Sequence, residues 1–121
     1  MWQWIGDGNS LVSLIVAVRP GEQESVGGLR NRLLAEVDRV RARLRPTAAG
    51  ELIRPEMVGV RGAFAAFSMS VGGTREGLEL HNDLLIATDR VDMYLVHAAV
   101  PGTATGRRLA SSLLSSVRLF G

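Results

Sequence analysis

The sequence predicts an α+β domain, with helices on both faces of a mainly antiparallel sheet and elements in the order ββαββββα. Three observations lead there. Apolar, β-branched runs are punctuated by Gly and Pro, as strands are. Two other stretches repeat their apolar residues every three or four positions, as amphipathic helices do. Several strands are apolar at both odd and even positions, so both of their faces need cover.

The first strand carries Trp2, Trp4 and Ile5 and ends in the turn-forming cluster Gly6-Asp7-Gly8-Asn9. The second, Leu11 to Val18, stops at Pro20-Gly21, and the two read as a hairpin. Over residues 29–44, Leu29, Leu33, Val37, Val40 and Leu44 form one stripe among arginines and carboxylates, which predicts a helix ended by Pro46. Four strands follow. Leu52 to Val60 is interrupted by Pro55, which suits an edge position. Ala63 to Val71 ends at Gly72-Gly73, read as a turn. Leu78 to Ala87 and Val91 to Val100 flank Thr88-Asp89-Arg90, read as a tight hairpin. Residues 106–118 return to helical spacing, with Leu109, Leu113 and Val117 in line and Thr105 as the expected N-cap.

Composition narrows the function classes. One hydrophobic core suits 121 residues, so residues 1–121 read as a single domain. All 14 basic residues are Arg, yet the net charge is only +2, which gives no argument for a nucleic-acid partner. The absence of Cys excludes disulfides, zinc-thiolate sites and thiol nucleophiles. The longest apolar run is far shorter than the roughly 20 residues of a membrane span. With no export signal pattern at the start, a cytoplasmic location is expected, or an extracytoplasmic one if such a signal has been removed.

Candidate sites are sparse. Glu79, His81 and Asp83 alternate along one strand, with His97 on the next, but their spacing matches no established metal motif and equally suits a solvated strand. No serine sits in a nucleophile-elbow context, so no hydrolase triad and no enzyme activity is expected. The glycines fit neither a P-loop nor a dinucleotide fingerprint, and no cofactor is expected. Gly27-Gly28 precedes the first helix, where an anion site competes with a plain loop. Arg30, Arg32, Arg39, Arg41, Arg43 and Arg45 read as a solvated helix face, partly paired with Glu36 and Asp38. Trp2, Trp4 and Tyr94 are the aromatic candidates for partner or ligand contact.

Gly59-Val60-Arg61-Gly62 before an aromatic-bearing strand, the Gly72-Gly73 pair, Thr88-Asp89-Arg90, Val91 to Val96 and the closing Ser115 to Phe120 together form a pattern. In it the chain resembles the PsbP-like fold, including the LpqN-type lipoproteins of mycobacteria. The likeness covers roughly the last half of the chain. It implies an αβα sandwich and a non-enzymatic accessory role, since members serve as photosystem subunits, nuclear-transport factors and exported lipoproteins. The lipoprotein signal and Cys of the exported members are missing here.

Two functions follow as expectations. One is a non-catalytic accessory or protein-binding domain. The other is a small-ligand carrier or enzyme with its pocket between sheet and helix, near Trp2, Trp4, Tyr94 and His81. Apolar residues at successive positions of Leu11 to Val18 and Leu84 to Ala87 also predict self-association as a twofold dimer, or an unidentified protein partner.

Overall fold

The structure is a computed structural model that describes residues 2–5, 13–19, 26–44, 52–90 and 92–118, with side chains described for 27–44, 55–90 and 92–118. The elements are β1 (Trp2–Ile5), β2 (Ser13–Arg19), α1 (Val26–Arg41), β3 (Leu52–Met57), β4 (Ala65–Arg75), β5 (Leu78–Thr88), β6 (Met93–Pro101) and α2 (Ala104–Ser115). This is the expected order. The strands form one six-stranded sheet, β1-β2-β6-β5-β4-β3, in which every neighbouring pair is antiparallel. The first-strand turn at residues 6–9 and the Pro20-Gly21 and Pro46 stops lie outside the described residues.

The turn between β4 and β5 corrects one expectation. Gly72-Gly73 is not a turn: both residues lie within β4, paired with His81 and Leu80. The chain reverses instead at Glu76 (φ 53) and Gly77 (φ 79). Two successive residues at positive φ give a two-residue loop whose twist matches that of the strands it joins. Full ladder pairing on β5 carries β4 through two glycines that a turn rule alone would assign to a loop.

Between β5 and β6 the loop is longer than a tight hairpin and is built on its own polar groups. The Thr88 hydroxyl donates to the Asp92 carbonyl (2.9 Å) and accepts from the Arg90 amide (3.2 Å), while the Asp92 amide donates to Asp89 Oδ1 (2.7 Å). Arg90 lies at φ 78, and its guanidinium stacks 3.8 Å from the centre of the Phe64 ring. β3 forms an edge of the sheet, and its pairing with β4 slips between Ile53 and Glu56, around Pro55.

Helix α1 begins earlier than its apolar stripe suggests, at Val26. It ends at Arg41, after which Arg43 and Leu44 donate to Val40 and Arg41 carbonyls at i−3, a tightened last turn. The N-cap of α2 is Thr103 and not Thr105: its backbone is extended and its hydroxyl accepts the Gly106 amide at 3.0 Å. Thr105 lies inside the first turn instead.

Three packed groups hold the helices. Leu29, Leu33 and Val37 of α1 are buried with Phe67, Met69, Val71, Leu84, Ile86 and Met93. Ala110 of α2 is buried with Ala98 and Val100, and Leu114 reaches both this group and a third made of Ala66, Leu85, Ala87 and Val96. Among the described residues, no helix is long and apolar enough to cross a membrane.

Candidate functional site

The β4–β5 register places Ser70 directly opposite Asp83. Directly opposed residues of an antiparallel pair share a face and lie within side-chain reach. The Ser70 hydroxyl donates to Asp83 Oδ1, and His81 Nε2, two residues back along β5, lies 2.8 Å from the same oxygen. Asp83 is only 9% exposed. Burial alone would raise its pKa, but the hydrogen bonds from His81 and Ser70, with the charges of His81 and His97, outweigh it and hold the carboxyl below its ordinary value. Oδ2 has no hydrogen-bond partner among the described residues.

This face of β4 and β5 forms the floor of an open cleft of about 340 Å³. Helix α2 makes one wall with Ser111, Leu114 and Ser115, and the segment after β3 makes another with Val58 to Val60. An isolated parallel bridge between Arg61 and Arg118 and a bond from the Val58 amide to the Ala66 carbonyl (3.0 Å) fix that second wall. Leu85, Leu114, Val58, Val60 and Val117 supply an apolar lining, while Ser68, Ser70, Ser111, Ser115 and Asp83 supply the polar groups.

The four residues singled out as a polar cluster do not converge. His81 and Asp83 meet, but His97 bonds Asn82, with Nε2 at 2.8 Å from Asn82 Oδ1. Asn82 and Asp83 are successive strand residues, so they project from opposite faces of β5. Because Asn82 Nδ2 donates to the Val71 carbonyl (3.3 Å), its Oδ1 must accept, which assigns the proton of His97 to Nε2. Burial, then the charge of Arg43, lowers the His97 pKa against the opposing pull of Asp83, which favours the neutral ring. Glu79 lies exposed near the start of β5, where its carbonyl accepts the Gly102 amide (2.9 Å). No three His, Asp or Glu side chains among the described residues are grouped to hold a metal.

Other candidates fall elsewhere. Tyr94 is not in the cleft: its hydroxyl lies 3.4 Å from both Asp89 Oδ2 and Asp92 Oδ2 beside the β5–β6 loop, and desolvation and the two carboxylates raise its pKa. Trp2 and Trp4 pair with Val16 and Leu14 in the β1–β2 ladder, at the edge opposite β3, and their side chains lie outside the described residues. Arg30, Arg39 and Arg41 are exposed on α1 and Arg43 in the turn after it, Arg39 bonded to Glu36 at 2.8 Å; Arg45 lies outside the described residues. Gly27 and Gly28 belong to the first turn of α1. Sequence reasoning singled out neither Asn82 nor Ser70.

Chemically, the trio cannot act as a triad. A triad needs the imidazole against the nucleophile and the carboxylate behind the imidazole. Here the carboxylate sits in the middle, and the Ser70 hydroxyl is spent on an anion that is a weak base. The arrangement is suited to holding a ligand. No family model matches this sequence, and no curated protein matches it.

Proposed function

We propose that this chain is a non-catalytic binding domain whose site is the cleft between β4, β5 and α2. The observation that carries this reading is a cavity of about 340 Å³ between sheet and helix, a volume within the range of small-ligand sites, whose lining is more polar than apolar and includes Asp83 with Ser68, Ser70, Ser111 and Ser115. The test is a fragment titration followed by amide NMR. Saturable shifts confined to Ser68, Ser70, Asp83 and Ser111 support the site, and their loss in Ser111→Phe, which fills the cleft from the exposed side of α2, ties them to it. A fragment set that moves none of these amides overturns the reading.

The arrangement behind this proposal is an αβα sandwich resembling the PsbP-like fold. Its support is alternation: residues grouped with α1 (67, 69, 71, 84, 86) and those grouped with α2 or Leu114 (66, 85, 87) take opposite parity along the same strands. A second reading, twofold self-association, has its own support. Among the described residues neither helix contacts β1 or β2, which makes that half of the sheet the region to seat a second copy, twofold dimers being the commonest closed assembly. Sedimentation equilibrium decides it: a dimer weakened by Trp4→Ala supports it, and a concentration-independent monomer of 13.0 kDa refutes it.

A further inference from the structure

We propose that the cleft selects a protonated amine or guanidinium group on a short alkyl body, with Asp83 Oδ2 as its acceptor; this rests on the cleft being the binding site. Three observations converge. The Asp83 side chain is 12% exposed, lines the cleft, and has both of its partners among the described residues, Ser70 and His81, on Oδ1, which leaves Oδ2 without a protein donor among them. A carboxylate oxygen that faces a cleft without a protein donor is a strong acceptor, and cationic donors satisfy it best. The neighbouring hydroxyls of Ser68 and Ser111 also lack protein partners among the described residues and can accept the remaining N–H groups of such a head.

The rest of the cleft selects against the alternatives. Among the described residues no arginine lines it, and His81 contacts the carboxylate only at Oδ1, so an anion would meet the Oδ2 side of the carboxylate. A transition metal would want three or more His, Cys or carboxylate donors, which are not grouped among the described residues, and the site offers one carboxylate with one oxygen already engaged. The apolar strip of Val60, Leu85, Leu114 and Val117 gives no help to an inorganic ion but suits a few methylenes. A volume near the lower end of small-ligand sites limits that body to a short chain, whether it belongs to a free amine or to a lysine side chain of a peptide.

The experiment is an amide NMR titration of the whole chain with n-butylammonium, n-butanol and butyrate in mildly alkaline buffer, where a primary amine stays protonated. Butylammonium is expected to move the amides of Ser68, Asp83 and Ser111 saturably, at least about tenfold tighter than butanol, with no response to butyrate. Asp83→Asn keeps the side-chain shape and should reduce butylammonium to the level of butanol. Ser111→Phe leaves the carboxylate intact and should abolish the response, which keeps the test decisive if Asp83→Asn unfolds. Butanol or butyrate binding as tightly as butylammonium overturns the charge selection while leaving the cleft as a binding site. Silence from every probe overturns both. Nα-acetyl-lysine amide, run in parallel, separates the two sources: binding equal to butylammonium assigns the amine to a peptide side chain, and tenfold weaker binding assigns it to a free small amine.

Discussion

Replacing glycine by alanine in a helix ordinarily stabilises it by up to about 1 kcal/mol, because alanine loses less backbone entropy on folding. At Gly106 the structure reverses that sign. A Cβ built there would lie 2.2 Å from the Pro101 carbonyl oxygen and 3.1 Å from its carbon, and neither is the movable end of a side chain. Restoring contact distance requires α2 to lift away from the end of β6 by about 1 Å. That loosens Ala110 and Leu114 against Ala98 and Val100. Overpacking of this kind costs roughly 1–3 kcal/mol, so Gly106→Ala should lower stability despite its better propensity. Gly27→Ala is the internal control, since a Cβ there meets nothing within 4 Å and should be neutral or stabilising. Urea unfolding by circular dichroism reads both, with the midpoint of Gly106→Ala falling at unchanged slope. The reasoning fails if Gly106→Ala is as stable as the parent, for then α2 does not press on Pro101.

Thr103→Ala should destabilise by about 1 kcal/mol and Thr105→Ala by much less, because only Thr103 caps α2; equal losses in urea melts would contradict this. Ser70→Ala removes a donor from a buried carboxylate and should cost about 1.5–3 kcal/mol by the same measurement. The lowered pKa of His97 means the unfolded chain binds the extra proton first. Its contribution is therefore full above the unfolded value of about 6.5 and is lost as the pH falls through that value toward the folded one. His97→Gln preserves a donor for Asn82 and should flatten the stability profile between about pH 7 and 5, and an unchanged slope would refute the assignment. Asp83, also lowered, adds its loss only below the ordinary carboxylate range, so acid unfolding should persist in that variant.

The elements were legible because their signals are local: the stripe from Leu29 to Val40 and the alternating runs of β4 to β6 each carry their own period. The site was not, because it depends on register, which two turns set. A reversal at Gly72-Gly73 would have placed Ser70 against Arg75. The actual reversal at Glu76-Gly77 places it against Asp83. The second hairpin shows the same sensitivity. A turn centred on Asp89 sets His97 opposite His81, whereas the four-residue loop shifts the pairing by an odd number and sets it opposite Leu84. An odd shift moves a side chain to the other face of the sheet. Local composition at Thr88 to Asp92 does not reveal the loop length, since the hydrogen bonds that fix it arise only once the loop has formed.

That parity gives β5 two polar systems of different character. Asn82, 3% exposed, has its amide nitrogen on Val71 and its oxygen on His97, two neutral neighbours that meet its needs. Asp83 is buried nearly as deeply, carries a charge, and spends both protein donors on one oxygen. An unmet buried acceptor costs about 1–3 kcal/mol, and more when it is charged. The neutral pair therefore serves the fold, closing the α1 side of β5 beside Leu84 and Ile86. The charged residue holds an oxygen without a protein donor among the described residues, at the floor of the cleft. A cationic ligand that donates to Oδ2 adds a charge-assisted hydrogen bond there, stronger than a neutral one, which is why the cleft should discriminate by head-group charge more sharply than by the length of its alkyl body.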